Sequence, residues 1–206
     1  MNNVVVLQPD NYAKTVLIIG VFHGDEPDGE YLINRFIGEV DSSKFQNRLI
    51  LIPCLNAYGK AKNLRTNANG VDLNRNFPTK CWAKCLDVAE KNEFFGGESP
   101  ASEEETKFVM QIIEEHKPDV ILTLHAPYQV VNFDGPAQKI AKQISEITGY
   151  PVQENIGYPT PGSFGTYYGI ERNIPVITLE LPEDVSLDDL WEVNKNVFYY
   201  LANDLV

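Results

Sequence analysis

Four short apolar runs constrain this chain more than any other feature. Val16–Phe22 (VLIIGVF), Leu49–Pro53 (LILIP), Val120–Leu124 (VILTL) and Val176–Leu181 (VITLEL) have strand length and almost no polar interruptions. A strand with one wet face alternates, so a run that does not alternate belongs to a strand covered on both faces. Segments of helical period lie between these runs. After Pro27, an apolar stripe is formed by Tyr31, Leu32, Ile33, Phe36 and Ile37. A second helix is expected with Ser102 as N-cap and Glu105 three residues on, burying Phe108, Val109, Ile112 and Ile113. A third spans Pro136–Thr148 and stops at Gly149, and a fourth follows Ser186 with an acidic pair in its first turn. The N-terminal VVVL also reads as a strand. Alternating strands and helices imply an α/β fold, a sheet wrapped by helices in which strand order can be mixed. With 206 residues, the chain is expected to form one domain, 1–206, without linker or internal repeat. The exception to this regularity is Asn56–Gly97, rich in Asn, Gly, Lys and Thr, where a long loop signals either function or a missed element.

Charge narrows the partners. There are 29 Asp plus Glu against 17 Lys plus Arg, a formal net charge of -12. Such a chain has no general attraction for phosphate backbones, so nucleic acid is not an expected partner, and an anionic ligand must be met by locally placed cations. No apolar run approaches the roughly 20 residues that cross a bilayer, so no membrane association is expected. The opening MNNVVVLQPD lacks the basic and long apolar regions of a secretory leader. Three cysteines, Cys54, Cys81 and Cys85, cannot all pair within the chain and lack zinc-knuckle spacing, so reduced thiols in the cytoplasm are expected.

Only three histidines exist, and two follow strand candidates. His23 ends VLIIGVF and opens H-G-D-E, which places Glu26 at a helix entry; His125 ends VILTL. Ligands gather at the carboxyl ends of strands in open α/β sheets. Two imidazoles and one carboxylate form a three-ligand set for one Zn²⁺ with a water in the fourth position, and zinc lowers the pKa of that water from ~15.7 towards ~7. Glu180 lies near the end of ITLEL, an awkward place for an unpartnered charge. It is positioned to take the water proton and pass it to a leaving amine. His116, in EEHKPD, ends a helix where a cation is favoured and is expected to be exposed. In LRTNANGVDLNRNFP, Arg65, Asn74 and Arg75 bring fixed donors into an acidic chain. They could bind a substrate carboxylate and stabilise an oxyanion, or pin a loop through Asp–Arg pairs such as Asp72–Arg75.

Taken in order, H-G-D-E, N-A-N-G-V-D-L-N-R-N-F-P, a strand-end His and T-L-E-L-P resemble the zinc metallocarboxypeptidases, or funnelins; FFGGESPASEEET resembles the loop leading into one of their helices. The resemblance spans Val16 to Pro182. It implies a twisted, mixed sheet of about eight strands between helices, with zinc on His23, Glu26 and His125 and Glu180 as general base and acid. It also implies Arg65 as the polariser of the scissile carbonyl and Asn74 with Arg75 as the clamp on a terminal carboxylate. A family tyrosine precedes a Gly-Ser segment; Gly162–Ser163–Phe164 marks that segment, with Tyr158 the nearest candidate, while Tyr167 and Tyr168 could equally be core. Small size and the FGGESPASEEET loop are most similar to bacterial murein-peptide amidases, which implies hydrolysis of the γ-D-glutamyl–diaminopimelate bond of a small peptide carrying several carboxylates.

Two alternatives accompany this reading. Aspartoacylase and succinylglutamate desuccinylase relatives share an H-G-x-E and a D-L-N-R, which would imply an N-acyl amino acid deacylase. Against that stands the short stretch after Glu180, too little for the C-terminal β domain of those relatives. A non-catalytic protein that binds peptide carboxylates on the same fold would lack the base or a ligand, and neither is lost here. Asp25 and Asp72 are read as surface or loop-bracing residues, with a second metal position as the other possibility.

Overall fold

The computed structural model describes residues 3–82, 93–154 and 160–205. Its centre is a seven-stranded sheet in the order β1-β3-β2-β4-β7-β5-β6. The strands are β1 (Val5–Leu7), β2 (Thr15–Ile19), β3 (Arg48–Ile52), β4 (Val120–His125), β5 (Val131–Asp134), β6 (Val152–Gln153) and β7 (Val176–Glu180). The four inner strands, β3, β2, β4 and β7, run parallel, while β1 and β5 join antiparallel at either side and β6 runs parallel to β5. The mixed sheet agrees with expectation, although the described residues give seven strands rather than about eight.

Both faces of the inner strands are covered, which explains the uninterrupted apolar runs. Val16 and Ile18 of β2 point into a cluster with Leu32, Ile33 and Phe36 of helix α1 (Asp28–Glu39). Helices α4 (Gln138–Thr148) and α5 (Leu187–Asn203) complete that layer. Leu17 and Ile19, one residue out of phase, point into the opposite cluster with Val109, Ile112 and Ile113 of helix α3 (Glu104–His116). Burial of each such side chain contributes about 1.5–3 kcal/mol, so the period-2 split of one strand between two cores fixes its register.

Local signals mostly act as expected. Ser186 caps α5 by accepting from Asp189 N, and Gly149 ends α4 with φ 76°. Ser102 does not cap α3. The N-cap is Glu103 without a side-chain cap bond, and Ser102 Oγ instead donates to Glu103 and accepts from Asn76 Nδ2. Tertiary bonding to the Asn-rich loop therefore overrides the capping box. That loop also contains helix α2 (Ala57–Lys62), too short for its periodicity to be visible in sequence.

Candidate metal centre and active site

Chain order places a crevice at the sheet's carboxyl edge. From β2 the chain passes through α1 to β3 on one side, then through α3 to β4 on the other, with α1 and α3 on opposite faces. The strand order reverses at β2 and β4, which opens a cleft beyond their ends. His125 is the last residue of β4, and His23 lies four residues past the end of β2.

The link from β2 to His23 is bent sharply. Val21 is buried with φ 56°, a left-handed conformation that is costly for a β-branched residue, by about 1–3 kcal/mol. Its carbonyl accepts from Asn56 N at 2.9 Å. Asn56 also caps α2 through Gly59 N and donates to the carbonyls of Phe22 and Arg65. Gly24 lies so close to α2 that a Cβ there would come within 2.0 Å of Gly59 backbone carbon. Helix α2, absent from the sequence expectation, thus holds the turn that presents His23 and Glu26.

The three predicted ligands converge. His23 Nδ1 lies 2.8 Å from Glu26 Oε1, His125 Nδ1 lies 2.9 Å from Glu26 Oε2, and the two Nδ1 atoms are 3.2 Å apart. Two imidazole nitrogens facing each other beside a carboxylate form a set of lone pairs that calls for a cation. His23 Nε2 is engaged with Asp72 Oδ1 at 3.1 Å. Donation from Nε2 to Asp72 leaves the Nδ1 lone pair directed at the cluster, the usual way an outer carboxylate orients a metal-binding His. The donor set therefore fits zinc, with three chain ligands among the described residues and a fourth position for solvent or substrate.

Electrostatics follow the same geometry. Burial would lower the His23 pKa, but the carboxylates of Asp72 and Glu26 outweigh it and hold the value up at about 9. Burial alone would raise Glu26 and Asp72; the neighbouring imidazole and hydrogen bonds instead hold both well below the usual carboxylate range. Asp72 is fully buried, so a surface role for it is corrected. Its bonds are those of a residue that braces the loop within the site: Oδ2 accepts from Arg65 Nε at 3.1 Å and Oδ1 from Asn74 N at 2.8 Å. Asp25, by contrast, is exposed at the cleft rim.

Glu180 is the register neighbour of His125 across the parallel β4–β7 ladder, so both side chains leave the same face. It is 7% exposed and its Oε2 has no hydrogen-bond partner among the described residues. Burial pushes its pKa up. Asn74 Oδ1 accepts from Phe164 N at 2.9 Å, and Arg75 Nη1 donates to the Asn74 carbonyl at 2.7 Å. Arg65 Nη1 lies 3.6 Å from Glu26 Oε1. His23, Glu26, Arg65, Asn74, Arg75, His125 and Glu180 all line one cleft of about 740 Å³.

Other candidates fall elsewhere. His116 ends α3 as expected but is half-buried rather than exposed, and lies outside the cleft. Tyr167 and Tyr168 are buried in the α3-side core. Tyr158 and Cys85 lie outside the described residues. Cys54 is a half-buried free thiol whose pKa burial pushes up to about 11, which disfavours the thiolate. No described helix is long and apolar enough to cross a membrane. The cleft residues without a sequence expectation include Tyr128, exposed after His125, and Asp134 at the end of β5.

This fold and this cluster define a zinc-dependent hydrolase of the carboxypeptidase type. The zinc carboxypeptidase family model matches residues 8–139, and the chain belongs to that family. Among curated relatives, it is 31% identical to murein peptide amidase A of Escherichia coli over 203 residues, covering 95% of this chain and 81% of that protein. It is likewise 31% identical to murein peptide amidase A of Vibrio campbellii, covering 94% of this chain and 79% of the relative. The crystal structure of a murein-tripeptide amidase from Escherichia coli superposes with a TM-score of 0.78 at 28% identity, covering 94% of this chain and 83% of that chain.

Proposed function

We propose that the protein hydrolyses an amide bond next to a free carboxylate in a small murein-type peptide, at the γ-D-glutamyl–diaminopimelate linkage. The observation that carries this reading is Glu180, a buried carboxylate with an unpartnered oxygen beside a three-donor metal set. His23, Glu26 and His125 would hold zinc, which supplies hydroxide character at neutral pH and a Lewis acid for the carbonyl. Glu180 Oε2 accepts the proton of the attacking water and returns it to the leaving nitrogen; its raised pKa suits both halves of that transfer. Arg65, held by Asp72, directs its remaining donors towards the carbonyl oxygen as charge develops. Arg75 and the Asn74 amide receive the terminal carboxylate of the released residue. The net-acidic surface and the two cleft arginines suit a small anionic peptide bound locally.

Likeness to murein peptide amidases over 95% of the chain supports the amidase over the deacylase. The test compares turnover of a γ-D-glutamyl-diaminopimelate peptide with turnover of N-acetylaspartate by the zinc-loaded protein. Preference for the peptide is expected. Preference for N-acetylaspartate would establish the deacylase, and turnover of neither, with zinc bound, would leave a binding protein.

A further inference from the structure

Glu103, at the entry to α3, is a buried carboxylate that does not line the cleft and that the proposed chemistry does not use. An acid at a helix entry ordinarily serves the helix end, but this one makes no cap bond and turns its acceptors to the Asn-rich loop. Oε2 accepts from Asn67 Nδ2 at 2.8 Å and from Asn69 Nδ2 at 2.7 Å, and Oε1 accepts from Ser102 Oγ at 2.5 Å. Asn67 Nδ2 also reaches Glu105 Oε2 at 3.2 Å.

The residue that Glu103 grips closes a turn. Asn67 Oδ1 accepts from Asn69 N at 3.0 Å and Val71 N at 3.1 Å, and Asn67 N donates to the Val71 carbonyl at 2.9 Å. The two ends of that turn are Arg65 and Asp72, whose side chains meet at 3.1 Å from Nε and 3.0 Å from Nη2. The same helix entry holds the Arg75 arm by other atoms. Glu103 N donates to Asn76 Oδ1 at 3.2 Å, and Asn76 Nδ2 donates to Ser102 Oγ at 3.0 Å. Gly97 leaves room for this second arm, since a Cβ there would lie 2.6 Å from Asn76 Nδ2. The side chain of Glu103 therefore serves the Arg65 arm, and its main chain serves the Arg75 arm.

We propose that Glu103 is a positioning residue for Arg65. It holds the Asn67 turn against α3, and that turn sets where Asp72, and through it the Arg65 guanidinium, stands relative to the scissile carbonyl. This rests on the proposed function, which puts Arg65 on that carbonyl. A carboxylate suits the task because its two oxygens accept from three donors at once, in charge-assisted bonds. A glutamine of the same shape has one acceptor oxygen and presents an N–H₂ group to the remaining donors.

The experiment measures kcat and KM of zinc-loaded Glu103→Gln on a γ-D-glutamyl-diaminopimelate peptide, in the native background and in Arg65→Ala, at a temperature where every variant is folded. In the native background kcat should fall by about tenfold with KM within about twofold. In the R65A background the same change should move kcat by less than about twofold, because the group being positioned is gone. A role confined to stability would leave kcat of the folded protein unchanged, and an effect independent of Arg65 would persist in R65A; either result overturns the proposal. So does a fall in kcat that comes with lost zinc, since the metal cluster would then be the group displaced. Amide exchange at Asn69 and Val71 is read alongside by NMR and should quicken about tenfold in E103Q. If the native chain cleaves no such peptide, the proposed function fails, and the amides then decide: faster exchange confined to this turn sustains the hold of Glu103 on the Arg65 loop, and unchanged exchange overturns it. Should E103Q not fold, Asn69→Ala replaces it, with a fall of about threefold in kcat expected and an unchanged kcat overturning the assignment.

Discussion

Two pairs of carboxylates, three of them lining the cleft and Asp72 buried behind it, live by opposite rules. Glu26 and Asp72 are surrounded by donors: each touches His23, and Asp72 also takes Arg65 and a backbone N–H. Their pKa values lie far down, so they remain charged and fixed. Glu180 and Asp134 are short of partners, and burial drives both upward. Saturated carboxylates hold other groups in place, whereas unsatisfied ones keep their capacity for a proton or a ligand. The same residue type serves as scaffold or as working group according to how many donors the fold supplies.

The largest test of that contrast is Glu180→Gln. Turnover should fall by about 10²–10⁴-fold, while zinc content by metal analysis stays near one per chain; undiminished turnover would strip Glu180 of its role. Removing the substrate's terminal charge by amidation should cost about 10–100-fold in kcat/KM if Arg75 and Asn74 hold it, and unchanged kinetics would place the carboxylate elsewhere. Asp72→Asn strikes the saturated pair. It should weaken zinc binding by about 10–100-fold in a chelator competition, although Asp72 touches no metal itself. A variant with native zinc affinity would demote Asp72 to a brace for Arg65.

The smallest effect has the opposite sign. The Asp134 carboxyl is raised from 3.8 to about 6 on folding. The native state therefore holds its proton more tightly, and stability declines as pH rises through that window. At pH 8, Asp134→Asn should stabilise the fold by about 1–2 kcal/mol, read by denaturant unfolding. That gain should shrink below pH 5, where the native carboxyl is protonated. A destabilised D134N at pH 8 would mean that the carboxylate has a structural partner and belongs with Asp72.

The divide also shows what could be read from sequence. His23, His125 and Glu180 were legible because each interrupts or ends an apolar run, where a polar residue needs a reason. The inner strands were legible because two-sided burial suppresses alternation. Asp72 was not: within GVDLNR it looks like a loop residue, although its neighbours Val71 and Leu73 are buried. Asp134 precedes Gly135 and reads as a turn, and β5 is too short for its alternation to stand out. Ser102 was misread because a capping box is local, while Asn76 bonds it from 26 positions away. Helix α2 depends on Asn56 and on contact with Gly24, neither visible as periodicity.

The placement of His125 opposite Glu180 on adjoining strands of one ladder has a mechanical consequence. The spacing of these two groups is set by main-chain hydrogen bonds in the middle of the sheet, not by surface segments that breathe. A slip of β7 by one residue would send Glu180 to the far layer and bring an apolar side chain into its place. The His125–Glu180 spacing should thus persist on warming until the sheet itself comes apart, whereas His23, Glu26 and Arg65 depend on segments outside the sheet.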